Sequence, residues 1–189
     1  TSRRVALLAC SPFSTWPMDR QAVLAAVRKD GRSLEWAPGP LKSDRELVLE
    51  AVREDGWALR FAADRLRGRV GAGGRAAELR QNGDRELVLE AVRQDGLALE
   101  WAADPLTRDR ELVLEAVRQA GVALQWAAGP LDGDRELVLE AVRQNGIALC
   151  FAADPLKADR ELVLEAVRQN GEALELAADP LMADPLLSP

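Results

Sequence analysis

The chain has no histidine and no tyrosine, only two cysteines, and aromatic residues make up just 4% of its 189 residues. Without histidine it lacks the commonest general base and the commonest metal ligand, so any chemistry would fall to carboxylates, lysines and two thiols. Cys10 and Cys150 lie far apart in the chain. They do not make a disulfide framework, and a reducing, intracellular setting, most simply the cytoplasm, is expected. No apolar run approaches the ~20 residues of a membrane span. There is no basic block either: the formal net charge is −6 and the signs alternate along the chain, which gives nucleic-acid binding through counterion release little support. Threonine and isoleucine are scarce, and valine falls at helical spacing, so strands are not expected.

What is present is a repeat. Residues 84–108 read DRELVLEAVRQDGLALEWAADPLTR, and copies open at Asp19, Asp44, Asp84, Asp109, Asp134 and Asp159, with a further start at Asp184. Every step is 25 residues except that from Asp44 to Asp84, which is 40. A fixed period of this length marks an array in which each unit buries its apolar face on its neighbours. In the first half of the unit, Asp84 suits a helix N-cap and Glu86 the positive end of the helix dipole. Leu87, Val88, Leu89, Ala91 and Val92 cover roughly 200° of the helix, about twice what a surface helix needs. Gly96 is expected to end the helix by entering the left-handed region.

The second half, LALEWAADPL, predicts a shorter helix of about seven residues, too short to stand alone in water. The Asp104-Pro105 step should stop it near Ala103. The expected fold is therefore all-α, an α-solenoid of stacked short helix pairs interrupted near residues 65–83. Residues 1–18 read as the degenerate end of an upstream repeat, 19–68 as two repeats, 69–83 as a Gly/Arg loop with a partial repeat, 84–183 as four regular repeats, and 184–189 as a tail. The break is expected to offset or bend the array. The arginines at the start together with Leu7-Leu8-Ala9-Cys10 imitate a lipoprotein leader, but Val5 to Ala9 is shorter than the ~7–15 residues of a signal core. Gly71-Ala72-Gly73-Gly74-Arg75-Ala76 imitates a dinucleotide fingerprint but lacks the strand such a site needs. It is read as a solvated loop.

No catalytic, metal or cofactor-binding residues are assigned. Glu86 and Glu90 form a pair four apart, but the pair recurs identically in each regular copy beside Arg93 and its equivalents, which describes a solvated stripe. Arg85 and its equivalents Arg45, Arg110, Arg135 and Arg160 lie inside the apolar arc, and their guanidiniums are expected to reach a carboxylate of an adjacent repeat. The positions that vary are more informative. The residue after the glycine runs Arg32, Trp57, Leu97, Val122, Ile147, Glu172, and the residue three further on runs Glu35, Arg60, Glu100, Gln125, Cys150, Glu175. Two readings stay open: the apolar members pack on the following repeat, or they form an exposed ladder along a groove for a partner helix or extended peptide. In the second reading the partner-binding ladder is Trp57, Arg60, Leu97, Glu100, Val122, Gln125, Ile147 and Cys150, with Trp57 set apart from the others by the break.

The run D-R-E-L-V-L-E-A-V-R-Q-x-G-x-A-L-x-W/F-A-A-D-P-L resembles the repeats grouped as domain of unknown function 4116. The resemblance covers most of Asp19 to Leu181 and implies a helical repeat with no catalytic residues assigned. Two functions follow as expectations: a non-catalytic, monomeric scaffold for an unknown protein or peptide, or a regulatory or substrate-presenting region of a larger enzyme whose catalytic domain lies outside this chain.

Overall fold

The computed structural model describes residues 19–67 and 84–178, and the described residues hold helices and no strand. They form an all-α repeat solenoid. Each copy makes one coil of up to three helical segments, and the second and third segments differ from those expected. The long helices are Arg20–Val27, Arg45–Glu54, Arg85–Gln94, Arg110–Gln119, Arg135–Gln144 and Arg160–Gln169. Each opens on its aspartate, whose side chain accepts backbone N–H groups of the first turn, as Asp109 does from Glu111 and Leu112, satisfying donors that no helical carbonyl reaches. In the regular copies Leu87, Val88, Ala91 and Val92, and their equivalents, form the core, all fully buried between Asp44 and Asp134. Leu89, Leu114, Leu139 and Leu164 are only half-buried.

The second segment is a six-residue 3₁₀ helix, as in Gly96–Trp101, and not an α-helix running to Ala103. It is capped by the residue that ends the long helix. Asp95 sits in extended backbone (φ −147°, ψ 114°), donates its N–H to Ala91 and accepts the Leu97 N–H on its side chain. A change of direction through one extended residue makes a left-handed glycine unnecessary, and Gly129 alone has positive φ among the described residues. The Asp-Pro step also behaves differently from expectation. It starts a third segment, Asp104–Thr107, with proline in the first turn where its missing N–H costs nothing. Asp154–Lys157 repeats this, while Leu41–Ser43 and Gly129–Gly133 are 3₁₀ turns at the same corner.

The glycine that opens the 3₁₀ helix is required by stacking. A Cβ on Gly31, Gly56, Gly96, Gly121 or Gly146 would lie under 3.0 Å from the carbonyl oxygen of Ala51, Ala91, Ala116, Ala141 or Ala166, each in the long helix of the next coil. A backbone hydrogen bond at the third corner completes the contact between coils. Ala63 donates to Lys42, Ala103 to Arg67, Ala128 to Thr107, Ala153 to Asp132 and Ala178 to Lys157, at 2.9–3.0 Å.

Neither feature is interrupted at the break, so the array is not offset there. Gly56 abuts Ala91 as Gly96 abuts Ala116. The Asp84 N–H donates to Leu66 at 3.0 Å, the bond that Asp109 makes to Leu106 and Asp159 to Leu156 in unbroken coils. One residue, Arg108, separates Thr107 from Asp109, whereas residues 68–83 separate Arg67 from Asp84. The extra residues thus enter and leave at a corner between coils already in register. The partial copy and the Gly71 motif read in that stretch, and the segments 1–18 and 184–189, lie outside the described residues.

Two glycines of different surroundings test this account. Gly121→Ala forces a methyl against the Ala141 carbonyl and should cost roughly 1–3 kcal/mol by overpacking, whereas Gly39, where an added Cβ would meet nothing within 4 Å, should accept alanine within about 0.5 kcal/mol. Equal denaturation midpoints for the two variants would contradict it.

Candidate functional site

Two faces of the coil carry the candidate groups. On the long-helix face, the expected inter-repeat contacts of Arg45, Arg85, Arg110 and Arg135 form, and each of these guanidiniums bridges two carboxylates. Arg85 reaches Asp109 at 2.6 Å and Glu111 at 2.8 Å, Arg110 reaches Asp134 at 2.6 Å and Glu136 at 2.8 Å, and Arg135 reaches Asp159 at 2.8 Å and Glu161 at 2.6 Å. Arg45 makes the same fork to Asp84 and Glu86 across the break. Each coil-opening aspartate from Asp44 to Asp159 therefore works twice: it caps its own helix and holds the arginine of the coil before. The carboxylates that sequence pairs as Glu86 and Glu90 are divided between arginines, Glu86 with Arg45 and Glu90 with Arg93. Such an arrangement neutralises a surface. No group of three or more metal-ligating side chains is placed to hold an ion among the described residues, and none of their helices is long and apolar enough to cross a membrane.

The second face is the outward side of the 3₁₀ helices. With three residues per turn, positions i and i+3 eclipse, so the two variable positions form stacked pairs, Trp57 with Arg60, Leu97 with Glu100, Val122 with Gln125, and Ile147 with Cys150. The two residues after the first variable position carry the packing: Ala98, Leu99 and their equivalents are buried in each regular coil up to Leu149. Trp57, Leu97, Val122, Glu100 and Cys150 are half-buried, Arg60 and Gln125 exposed, and Ile147 is 40% exposed. The apolar members are therefore a partly covered rim, neither core nor a fully open row. Burial raises the Cys150 thiol pKa, which keeps it in the unreactive protonated form at neutral pH.

Trp57 is not set apart from the later coils. Its ring lies 6.3 Å from that of Trp101, centroid to centroid, and its Nε1–H donates to Asp95. Arg32 Nε likewise donates to Asp55 at 2.7 Å. A rule joins these contacts: a hydrogen-bond donor after the glycine meets an aspartate at the cap of the next coil's 3₁₀ helix. Where the residue is Leu97, Val122 or Ile147, that cap is Ala120, Asn145 or Asn170.

A groove opens on this face at the first junction. Arg32, Glu35, Trp57, Arg60 and Phe61 line a groove of about 400 Å³. The Arg60 guanidinium lies 5.0 Å from the centroid of Trp101 and 5.9 Å from that of Phe61. Trp36, beside the groove in sequence, is 43% exposed. Phe61 and Trp101 belong to this cluster but not to the ladder positions that sequence picks out. Their signal is the W/F position of the repeat, one residue beyond the second variable position.

The family model described as Domain of unknown function (DUF4116) matches residues 19–67, 84–128 and 134–182. The chain belongs to this family. Each match spans about two coils, and the gap between the first two matches is residues 68–83. No curated protein and no solved structure matches the chain.

The aspartates make the stacking pH-sensitive. The Arg85 hydrogen bond holds the Asp109 carboxyl below its ordinary range, and Arg110 does the same for Asp134, against partial burial acting the other way. A carboxylate depressed in the folded state stabilises it fully above the unfolded pKa, and that contribution disappears as pH falls through the folded value. Melting temperature should hold steady near neutrality and fall below about pH 4–5. Asp109→Asn with Asp134→Asn keeps the caps but removes the ion pairs, so the double variant should melt lower at pH 7 and lose less on acidification. An unchanged acid slope would show that these pairs do not set it.

Proposed function

We propose that the chain is a non-catalytic helical-repeat scaffold that binds a partner protein or peptide along the outward face of its 3₁₀ helices. The observation that carries this reading is the division of labour within the coil. RELVLEAVRQ stands unchanged in the long helix of the coils from Asp84 onward, while the 3₁₀ face changes from Trp57 and Arg60 to Leu97 and Glu100, Val122 and Gln125, then Ile147 and Cys150. A constant frame carrying a varied, half-covered row suits recognition of an extended partner, whose successive residues meet successive coils. The long-helix face, where arginines and carboxylates are already paired to one another, has less unsatisfied polar chemistry to offer.

Affinity capture with the intact array tests the reading. Changing Leu97, Val122 and Ile147 together to serine should abolish capture while far-ultraviolet circular dichroism keeps its helical signal. Capture retained by the triple variant, or lost only together with helicity, would contradict the assignment of this face.

A further inference from the structure

The groove at the first junction differs from the rest of the row in the state of its charges. Along the array most arginines are paired with neighbouring carboxylates, Arg20 with Asp44 and Glu46, Arg28 with Glu50, and Arg32 with Asp55. Arg60 makes no ion pair among the described residues. Its contacts are the faces of Trp101 and Phe61. A guanidinium held against rings keeps its in-plane N–H groups directed outward, and these match a carboxylate two bonds at a time. Glu35, in the same position one coil earlier, also lacks an ion-pair partner among the described residues; the Lys42 ammonium donates to its backbone carbonyl and not to its carboxylate. The half-buried indole of Trp57 lines the same groove and donates to Asp95 of the following coil. The groove therefore offers an anion-accepting fork, an apolar floor and a carboxylate that repels a second anion on the other side.

We propose that this groove takes an extended acidic segment of a partner protein, with an aspartate or glutamate on Arg60 and an adjacent apolar side chain against Trp57 and Phe61. The inference rests on the scaffold reading and deepens it by naming the chemistry of the partner at one junction. Arg60 supplies affinity for the carboxylate, since a charge-assisted bond to a preorganised guanidinium is stronger than a neutral one. Glu35 supplies direction: the acidic residue is accepted at the Asp44 coil and rejected at the Asp19 coil. A basic residue at that end of the segment would be favoured. The aromatic floor supplies contact area with little entropy to lose, as rings already packed against their neighbours do.

The test is selection from a randomised heptapeptide library displayed on phage against the full chain, followed by fluorescence anisotropy of the selected peptides. Peptides carrying an aspartate or glutamate next to an apolar residue should be enriched. Arg60→Glu, with its fold checked by circular dichroism, should weaken them roughly tenfold or more, Arg60→Lys should weaken them less, and Glu35→Gln should leave affinity unchanged or higher for peptides with a second acidic residue. Enriched peptides without an acidic residue, or with equal affinity for wild type and Arg60→Glu, would overturn the inference. If such peptides instead lose binding in the Leu97, Val122 and Ile147 triple variant, the scaffold reading stands and the assignment of this groove falls. Dimerisation of the wild type that Arg60→Glu abolishes would make the occupant a second copy and also overturn it.

Discussion

The structure depends on the closeness with which one coil approaches the next. At each junction the backbone of a glycine rests against an alanine carbonyl in the following long helix, with no room for a Cβ between them. That distance brings the arginine at the start of each long helix within reach of the aspartate and glutamate of the next one, and it allows the single backbone hydrogen bond at the third corner. None of these segments would hold its shape alone. A 3₁₀ helix of six residues and a helical turn of four have too few internal bonds to offset the entropy of ordering them, so the coil is stable because its neighbours are in place.

The period, the apolar face of the long helix, its aspartate cap and the reach of Arg85 and its equivalents were all legible in the sequence. Each follows from spacing along one helix or from the repeat itself. The 3₁₀ geometry of Gly96–Trp101 was not, because at six residues the i+3 and i+4 patterns name nearly the same side chains. Gly96 was legible as a special position, but for the wrong reason. Sequence suggests glycine as a residue that turns left-handed, whereas here the extended residue before it makes the turn, and the need for glycine comes from an atom in the next coil, 20 positions away at Ala116.

The same limit applies to the break and to the candidate site. A step of 40 residues in place of 25 looks like a dislocation when the chain is read in line. In space, Leu66 and Asp84 close the coil with the same backbone bond as an unbroken coil, and Trp57 meets Asp95 and Trp101 directly. The variable positions lie together on the outward side of the 3₁₀ helices, and Arg60 stands among them. What made Arg60 distinctive, rings beneath it and no ion pair among the described residues, depends on which coil is its neighbour. The pairing of a donor after the glycine with an aspartate in the next coil was present in the sequence throughout, but it becomes meaningful only when the two positions are known to touch.

Continuous stacking from the Asp44 coil to the Asp84 coil is the central claim, because the contact at Gly56, the arginine fork at Arg45 and the aromatic groove all rely on it. Replacing residues 68–83 by a single arginine, the length found between Thr107 and Asp109, tests it by thermal unfolding. The account predicts one cooperative transition at a midpoint equal to or above that of the intact chain, since fewer residues between two chain ends that are already joined lower the entropy cost of joining them. A lower midpoint, or two separate transitions, would show that the coils on either side of residues 68–83 do not stack directly.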